Sequence, residues 1–305
     1  MKTQEKENLE LSQIGENVKF IDLFAGIGGF HLAFHNLGAE CVFASEWDKY
    51  ARETYFENFS KLSPALFKEP ELGQLNRFAG DITKVDKQQI PDFDILTAGF
   101  PCQPFSQAGF KKGFDDTRGT LFFDIAEILK VKKPKAFFIE NVRGLYKHDD
   151  GNTFKVIENT IGELGYSFQH FIVKASEYGL PQHRPRLFMV GFKDPSIVFN
   201  PPEKQKLKLT MSDVFQGKVD REIGFTIRVG GKSSGIDDRR NWDCYRVDGE
   251  VKTINIEQGK KMMGFPDEFI FPVSNTQAMK QLGNSVAVDA IAAFAKQMLV
   301  ALKSS

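Results

Sequence analysis

The sequence predicts an α/β fold, and three observations support this prediction. Residues 18–24 are mainly apolar and are typical of a buried strand. A glycine-rich turn at 26–29 follows directly, and residues 30–37 then carry apolar side chains at helical spacing. Residues 40–45 form a second apolar run, which precedes a predicted helix over 49–59. A strand, a glycine turn, a helix and a second strand in this order open a nucleotide-binding βαβ unit.

The later elements continue the same alternation along the chain. Strands are predicted at 93–96, 135–139 and 187–192, and helices at 120–130 and 285–302. Residues 60–78 contain two prolines and a glycine, which favours a surface insertion. Residues 1–17 are polar and charged and are predicted to form a loose tail. From residue 194 onward the composition shifts to Pro, Lys, Asp and Gly, which indicates a domain boundary.

Composition sets broad limits on the kind of protein this is. The chain has 305 residues, enough for one large domain or two, and its 40 basic and 40 acidic residues cancel. Zero net charge counts mildly against a nucleic-acid partner, although a local basic cleft is enough to contact phosphates. The three cysteines are widely spaced and predict neither disulfides nor a metal site, which suits the cytoplasm. We find no apolar run long enough to span a membrane.

The residues at the ends of the first strands leave several interpretations open. A tight turn from strand to helix needs glycine with or without a cofactor, and His31 stands where the dinucleotide fingerprint has its third glycine. Glu46 ends the second strand, where an acid can bind ribose hydroxyls of a nicotinamide or an adenosyl cofactor. Asp81 is either a contact to the adenine side or a helix cap.

Three short motifs carry the prediction of function. They are Pro101-Cys102-Gln103 after one apolar run, Glu140-Asn141-Val142 after another, and Gln182-His183-Arg184-Pro185-Arg186 before a third. A cysteine such as Cys102 can simply pack as a small hydrophobe, and each motif alone is weakly specific. Together and in this order, the motifs resemble those of the cytosine-C5 DNA methyltransferases of bacterial restriction-modification systems.

The resemblance implies a Rossmann-like S-adenosylmethionine-dependent methyltransferase sheet with a smaller target-recognition domain. Residues 18–193 would form the catalytic domain, completed by residues 274–305. Residues 194–273 would form the target-recognition domain. The C-terminal helix would then have to pack back against the catalytic domain near the first strand.

The resemblance also implies S-adenosyl-L-methionine as the cofactor. Four residues of the glycine turn would wrap its methionine end, Glu46 its ribose and Trp47 its adenine face, while Asp81 and Ile82 would hold the adenine edge. Residues from the far end of the chain would close the pocket. The complete predicted set is Phe24, Gly26, Ile27, Gly29, Glu46, Trp47, Asp81, Ile82, Asn284 and Val286.

The chemistry explains why the motif residues belong together. Carbon 5 of cytosine is a poor nucleophile until a thiolate, here that of Cys102, adds at carbon 6. By the resemblance, Glu140 would hold or protonate N3, Arg186 would bind the O2 oxygen and Arg184 a nearby phosphate. Since a stacked base is out of reach, the cytosine must be flipped out of the duplex. The base that removes the C5 proton is not identified.

DNA contacts are predicted in two segments. Residues 103–119 resemble a mobile loop that closes over DNA, with Ser106 near the sugar-phosphate backbone, although a plain surface loop fits as well. Residues 226–241 resemble the target-recognition region, and arginine suits guanine recognition in the major groove. Its predicted contacts are Arg228, Lys232, Arg239 and Arg240, unless the segment is only a basic surface loop. Gln258 and Lys261 stand where the family usually has a glutamate and an arginine, and this difference bears on the packing of the recognition region.

The function predicted is methylation of carbon 5 of cytosine in a short double-stranded DNA sequence, protecting host DNA from a cognate nuclease. The enzyme is expected to be a monomeric cytoplasmic protein without a metal or a membrane partner. The alternatives are an RNA cytosine methyltransferase, a DNA-binding protein that has lost catalysis, and a nicotinamide dehydrogenase. The broken glycine fingerprint counts against the dehydrogenase, and the intact motif residues count against loss of catalysis.

Overall fold

A central sheet organises the fold in the computed structural model, which describes residues 13–101, 121–230 and 234–304. Within these ranges seven strands form one sheet, in the order β3-β2-β1-β4-β5-β7-β6. Strands β1 to β5 run parallel, and β7 lies antiparallel between β5 and β6. The strands are β1 (Lys19–Leu23), β2 (Glu40–Ser45), β3 (Phe78–Ala79), β4 (Ile95–Ala98), β5 (Ala136–Val142), β6 (Gln169–Lys174) and β7 (Pro185–Phe192).

The helices follow the strands as the alternation predicts. Those described are α1 (Gly29–His35), α2 (Lys49–Phe59), α3 (Leu121–Lys132), α4 (Asn152–Glu163), α5 (Met211–Phe215), α6 (Ile256–Met263), α7 (Asn275–Asn284) and α8 (Val288–Lys303). A second sheet consists of the hairpin β8 (Cys244–Val247) and β9 (Glu250–Thr253). The observed bounds of β2 and α2 are those predicted from the sequence.

Both faces of the main sheet are covered, so its strands are buried on both sides. Side chains alternate along a strand: Phe20 belongs to one apolar cluster and Ile21 to the other. The first cluster contains Phe294 of α8, and the second contains Ile125 of α3. This arrangement explains why the central strands read as nearly continuous apolar runs.

The C-terminal segment packs back onto the catalytic sheet, as the resemblance implied. α8 contacts α1, the helix that follows the first strand. Within the described residues, the segment Asn275–Lys303 contains a window that is long and apolar enough to cross a membrane by length and composition alone, and 56% of that window is buried inside the protein. In this structure Ile291, Phe294 and Met298 of α8 are buried in the core, which accounts for the apolar composition.

Two segments predicted to be peripheral take part in packing. Residues 60–78 were expected to form a surface insertion, yet Leu66 is fully buried and Phe78 stacks on Tyr55 with ring centroids 4.8 Å apart. Their aromatic side chains fill space beside α2, which a count of prolines and glycines does not reveal. Residues 13–17 are likewise not a loose tail, because the Gly15 amide donates to the Leu37 carbonyl.

The described residues of the segment 194–273 share an apolar cluster with the main sheet. The buried residues Met211, Trp242 and Met262 of this segment belong to the same apolar cluster as Phe20 and Phe294. The division of the chain into a catalytic and a target-recognition domain stays a prediction.

Candidate active site

A cavity of about 680 Å³ lies at the carboxyl ends of the parallel strands. Its walls are the residues that follow β1, β2, β3 and β4, together with the last three residues of β5, Arg186 at the start of β7 and part of α7. Open α/β sheets bind ligands at this edge, and the volume is in the usual range for small-molecule sites. Eight of the predicted cofactor residues line the cavity: Phe24, Gly26, Ile27, Glu46, Trp47, Asp81, Ile82 and Asn284.

The other two predicted cofactor residues, Gly29 and Val286, lie outside the cavity lining. A Cβ atom built on Gly29 would meet the Val286 Cγ2 atom at 2.5 Å. Glycine at position 29 therefore permits the segment before α8 to contact the start of α1. Val286 also lies next to the cavity lining, since a Cβ atom built on Gly99 would be 3.8 Å from Val286 Cγ1.

The turn after β1 has an unusual backbone. Phe24 has φ of 54°, and Gly26 and Gly28 have φ of 56° and 84°. The left-handed region is costly for a residue with a bulky side chain such as Phe24, so neighbouring contacts must hold it there. The turn brings the backbone of Gly26 to the cavity, where its amide contacts the Glu46 carboxylate.

Glu46 is fixed by two backbone amides at the end of β2. Its Oε2 accepts from the Gly26 amide at 2.7 Å, and its Oε1 accepts from the Asp48 amide at 2.8 Å. Burial raises the pKa of Glu46, and the two amide hydrogen bonds oppose this rise. Each carboxylate oxygen keeps a second acceptor site for a ligand.

The remaining walls at this end of the cavity are an aromatic face and a capped turn. Trp47 has 81% of its surface exposed although it lines the cavity, which leaves a large apolar face available. The Asp81 side chain accepts from the Thr83 amide at 3.0 Å and caps a short 3₁₀ helix. Hydrogen bonds from Thr83 lower the pKa of Asp81. Capping is thus established for Asp81, and it lines the cavity as well.

Glu140 and Arg186 form an ion pair at the opposite end of the lining. Arg186 Nε lies 2.9 Å from Glu140 Oε1. The two residues are diagonal neighbours on the antiparallel strands β5 and β7, since Glu140 is paired with Phe188. Burial raises the pKa of Glu140, whereas the charges of Arg186 and Arg184 lower it, and the net change is a rise. The site therefore holds an acid that keeps its proton more readily than an exposed glutamate.

Arg184 does not lie where the predicted phosphate contact requires it. Only 1% of its surface is exposed, and its guanidinium donates to the backbone carbonyls of Ile227, Gly283 and Ser285. An arginine enclosed in this way has no access to a DNA phosphate. The sequence did not reveal this burial of Arg184, because its three carbonyl acceptors lie 43 to 101 residues further along the chain.

Cys102 and Ser106 lie outside the described residues, but the residues just before Cys102 line the cavity. Gly99, Phe100 and Pro101 extend from β4 into the site. The side chain of Asn141, next to Glu140, donates from Nδ2 to the Phe100 carbonyl at 2.9 Å. Asn141 belongs to the motif Glu140-Asn141-Val142, in which only Glu140 had a predicted role. Its contact links the strand of the acid to the turn that leads to the cysteine.

Gln281 is a second cavity residue for which no role was predicted from the sequence. It lines the cavity, only 7% of its surface is exposed, and its Oε1 accepts from the Thr54 hydroxyl at 2.9 Å. Its Nε2 atom is buried and has no hydrogen-bond partner among the described residues. Gln281 lies three residues before Asn284, which the resemblance already assigned to the pocket, so it was within reach of the same pattern.

Of the predicted DNA contacts, the structure describes Arg228, Arg239 and Arg240. Lys232 lies outside the described residues. Arg228 is exposed and lines a groove with His183 and Arg221, beside the motif that contains Arg186. Arg240 pairs with Asp238 at 2.8 Å, which lowers the pKa of Asp238 to about 2. Arg239 is also exposed. No group of side chains suited to a metal ion occurs in the described part of the chain.

The sheet order, the single antiparallel strand next to β5 and the cavity at the strand ends define a Rossmann-like α/β enzyme of the methyltransferase class. Comparison with known proteins then identifies the family. The profile of the C-5 cytosine-specific DNA methylases matches residues 18–224 and 216–300. The chain belongs to this family.

Relatives with high sequence identity are type II methyltransferases. M.NlaX of Neisseria lactamica is 41% identical, over 94% of this chain and 97% of its own length. M.SsoII of Shigella sonnei is 40% identical over 94% of this chain and 81% of its own length. M.HhaI of Haemophilus parahaemolyticus is 38% identical over 90% of this chain and 92% of its own length.

Solved structures agree on the fold. A DNMT2 variant from Spodoptera frugiperda superposes with a TM-score of 0.69 at 20% identity, covering 94% of this chain and all (100%) of that one. The Dnmt2 methyltransferase of S. pombe gives a TM-score of 0.64 at 19% identity, over 94% of this chain and 99% of its own. At this level of identity the agreement concerns the fold alone.

Proposed function

We propose that this enzyme transfers a methyl group from S-adenosylmethionine to carbon 5 of cytosine within a short specific sequence of double-stranded DNA. The observation that carries the proposal is the single cavity shared by Glu46, Trp47, Glu140 and Arg186. Its family membership supports the reaction type, and the type II class of its relatives supports a role in protecting host DNA from a cognate restriction endonuclease.

The cavity residues fit an adenosyl cofactor. The Glu46 carboxylate can accept from ribose hydroxyls while it keeps its two backbone amides, and Trp47 offers an aromatic face to the adenine. Gln281 has a buried Nε2 donor for an acceptor on the ligand. The bound cofactor would supply an electrophilic methyl group. Gly26, Ile27 and Asn284 would hold its amino-acid portion.

Cys102 is proposed as the nucleophile. Its thiolate sulfur would form a bond to carbon 6 of cytosine, and the electrons of the C5–C6 double bond would move to carbon 5. Carbon 5 would then take the methyl group of S-adenosylmethionine, whose sulfur–methyl bond breaks to leave S-adenosylhomocysteine. Loss of the C5 proton would then restore the double bond as the sulfur–carbon bond breaks. Because these ring carbons are covered in a stacked duplex, the base must leave the helix, at a cost of about a few kcal/mol.

Glu140 and Arg186 would handle the flipped base. A glutamate with a raised pKa carries a proton to N3, which withdraws electron density from carbon 6 during attack. Arg186 would exchange its contact with Glu140 for the O2 oxygen, so that both polar edges of the ring are held. Asn141 and Arg184 are proposed to position these groups through the backbone contacts that they make.

DNA recognition is proposed for the segment around Thr226 to Asn241. Arg228, Arg239 and Lys232 would contact the duplex, and Arg240 would have to exchange its ion pair with Asp238. Ser106 would approach the backbone from the segment after Cys102. We also propose that residues 194–273 act as the recognition unit, and that the enzyme works as a cytoplasmic monomer.

The decisive test is transfer of labelled methyl from S-adenosylmethionine to duplex DNA of varied sequence. We expect label in 5-methylcytosine with the intact chain and none with Cys102→Ser, while both proteins bind DNA. Label in tRNA and none in DNA would mean that the substrate is RNA. DNA binding without methyl transfer to either nucleic acid would leave only a binding protein.

A further inference from the structure

Arg52 on α2 joins two walls of the cavity that the proposed function assigns to the nucleoside part of the cofactor. Its Nη1 donates to the Glu46 carbonyl at 3.1 Å and to the Ala79 carbonyl at 2.6 Å. Its Nη2 donates to the Phe78 carbonyl at 3.1 Å. The guanidinium also lies over the Phe78 ring, 4.3 Å from the centroid. One half-buried side chain thus holds the ends of β2 and β3 together.

Strand β3 needs this connection because its own pairing is short. It is an edge strand of two residues, paired with β2 only through Phe78 and Ala79. The Ala79 carbonyl accepts from the Glu46 amide as well as from Arg52, so both its acceptor sites are used at the junction. Gly80, Asp81 and Ile82 of the cavity wall follow directly.

The connection extends to the glycine turn. Arg52 holds the carbonyl of Glu46, and the carboxylate of Glu46 accepts from the Gly26 amide. Three segments that line the cavity are therefore fixed relative to one another by one arginine and one glutamate. Arginine suits this position because its planar fork reaches several acceptors and stacks on an aromatic ring, which lysine cannot do.

We infer that Arg52 is a positioning residue for binding the adenosine part of the cofactor. Among the described residues its guanidinium contacts backbone carbonyls and the Phe78 ring, so its effect on a ligand acts through the placement of Glu46, Trp47 and Asp81. The inference rests on the proposed cofactor site. Arg52 therefore contributes to cofactor affinity and takes no part in methyl transfer itself.

The test compares Arg52→Met and Arg52→Lys with Arg77→Met by calorimetric titration. The exposed Arg77 side chain makes no hydrogen bond or ion pair with the described residues, so it controls for loss of one positive charge near β3. We expect Arg52→Met to weaken S-adenosylhomocysteine binding about tenfold, as loss of charged hydrogen bonds implies. Arg52→Lys should be intermediate, and Arg77→Met unchanged.

Two further measurements separate positioning from general damage. The Kd of 5′-methylthioadenosine, which lacks the amino-acid portion, should rise by the same factor as that of S-adenosylhomocysteine. The KM for the cofactor should rise while kcat at saturating cofactor and the Kd for DNA stay within about twofold. Equal binding by Arg52→Met and Arg77→Met, or a parallel loss of DNA binding, would overturn the inference.

The outcome is distinguishable from failure of the proposed cofactor site. If the unmodified chain and Glu46→Gln bind S-adenosylhomocysteine equally, the site assignment fails. If Glu46→Gln loses affinity and neither Arg52 variant does, the site stands and the role of Arg52 is wrong. If Arg52→Met does not fold, the titration of Arg52→Lys alone tests the role of Arg52. Unchanged affinity of Arg52→Lys for S-adenosylhomocysteine would then contradict it.

Discussion

At the scale of single residues, the chemistry depends on opposing influences on Glu140. Burial favours its protonated form, and Arg186 at 2.9 Å favours the carboxylate. Because burial prevails, the pKa of Glu140 lies above that of a free glutamate. Above this pKa the proton needed at N3 is lost, so the rate must fall as pH rises through it.

Glu140→Gln should therefore remove the alkaline limb that Glu140 causes in the pH profile of kcat. An amide of the same size cannot transfer a proton, and the rate at the optimum should fall by about 10² to 10³. The measurement is single-turnover methylation from pH 5 to 9. Arg186→Met should move the same limb to higher pH, because a charge that lowers the pKa is gone, whereas Arg186→Lys should move it less. An unchanged alkaline limb in Glu140→Gln would assign that limb to another group.

Asn141 provides a second prediction at this scale. Asn141→Ala removes the hydrogen bond to the Phe100 carbonyl, which holds the turn that leads to Cys102. We expect kcat to fall about tenfold, the value of a hydrogen bond of about 1.4 kcal/mol, with cofactor Kd unchanged. Asn141→Asp serves as the matched variant, because it keeps the size and loses the donor. Equal losses in kcat and cofactor affinity would show that Asn141 acts on the whole cavity.

At the scale of elements, buried parallel strands and the helices between them were predictable, and contacts between distant segments were not. β2 and α2 have the predicted bounds because apolar runs and helical spacing are local signals. β6 gave no such signal, since it is an edge strand in which only Val173 is buried. Most of the predicted cofactor residues line the cavity, whereas the contacts of Arg52 and Arg184 were not predicted because they depend on segments far along the chain.

Gly29 tests the packing of α1 against the segment before α8. Gly29→Ala should destabilise the protein by about 1–3 kcal/mol, because the new methyl group would lie 2.5 Å from Val286 Cγ2. Val286→Ala in the same chain should recover part of this loss. Denaturant unfolding of both single variants and the double variant measures the coupling.

Gly162 on α4 is the matched control for Gly29. An added Cβ there meets no atom within 4 Å, so Gly162→Ala should be neutral or stabilising by up to about 1 kcal/mol. If Gly29→Ala behaves like Gly162→Ala, the contact between Gly29 and Val286 is not tight in solution. If the double variant shows no recovery, the strain has another source.

At the scale of the whole molecule, two buried side chains connect the catalytic sheet with the segment 194–273. Gln182 accepts from the Ile227 amide and donates to the Met262 carbonyl. Arg184 donates to the carbonyls of Ile227 and Gly283. The motif that supplies Arg186 to the active site therefore also fixes the predicted recognition segment and the C-terminal end of α7, which lines the cavity. The apolar cluster shared by both parts reinforces this connection.

These contacts predict that both parts unfold in one transition. The chain has two tryptophans, and in a Trp47→Phe background Trp242 alone reports on the segment 194–273, where it is buried. Its fluorescence midpoint in urea should coincide with that of far-UV circular dichroism, which reports mainly on the helices around the sheet. Arg184→Met leaves buried carbonyls without their donor and should lower both midpoints together, by about 3 kcal/mol in free energy of unfolding. Earlier loss of the Trp242 signal in the parent protein would mean that the segment 194–273 has independent stability, and the shared cluster would then be an interface between two domains.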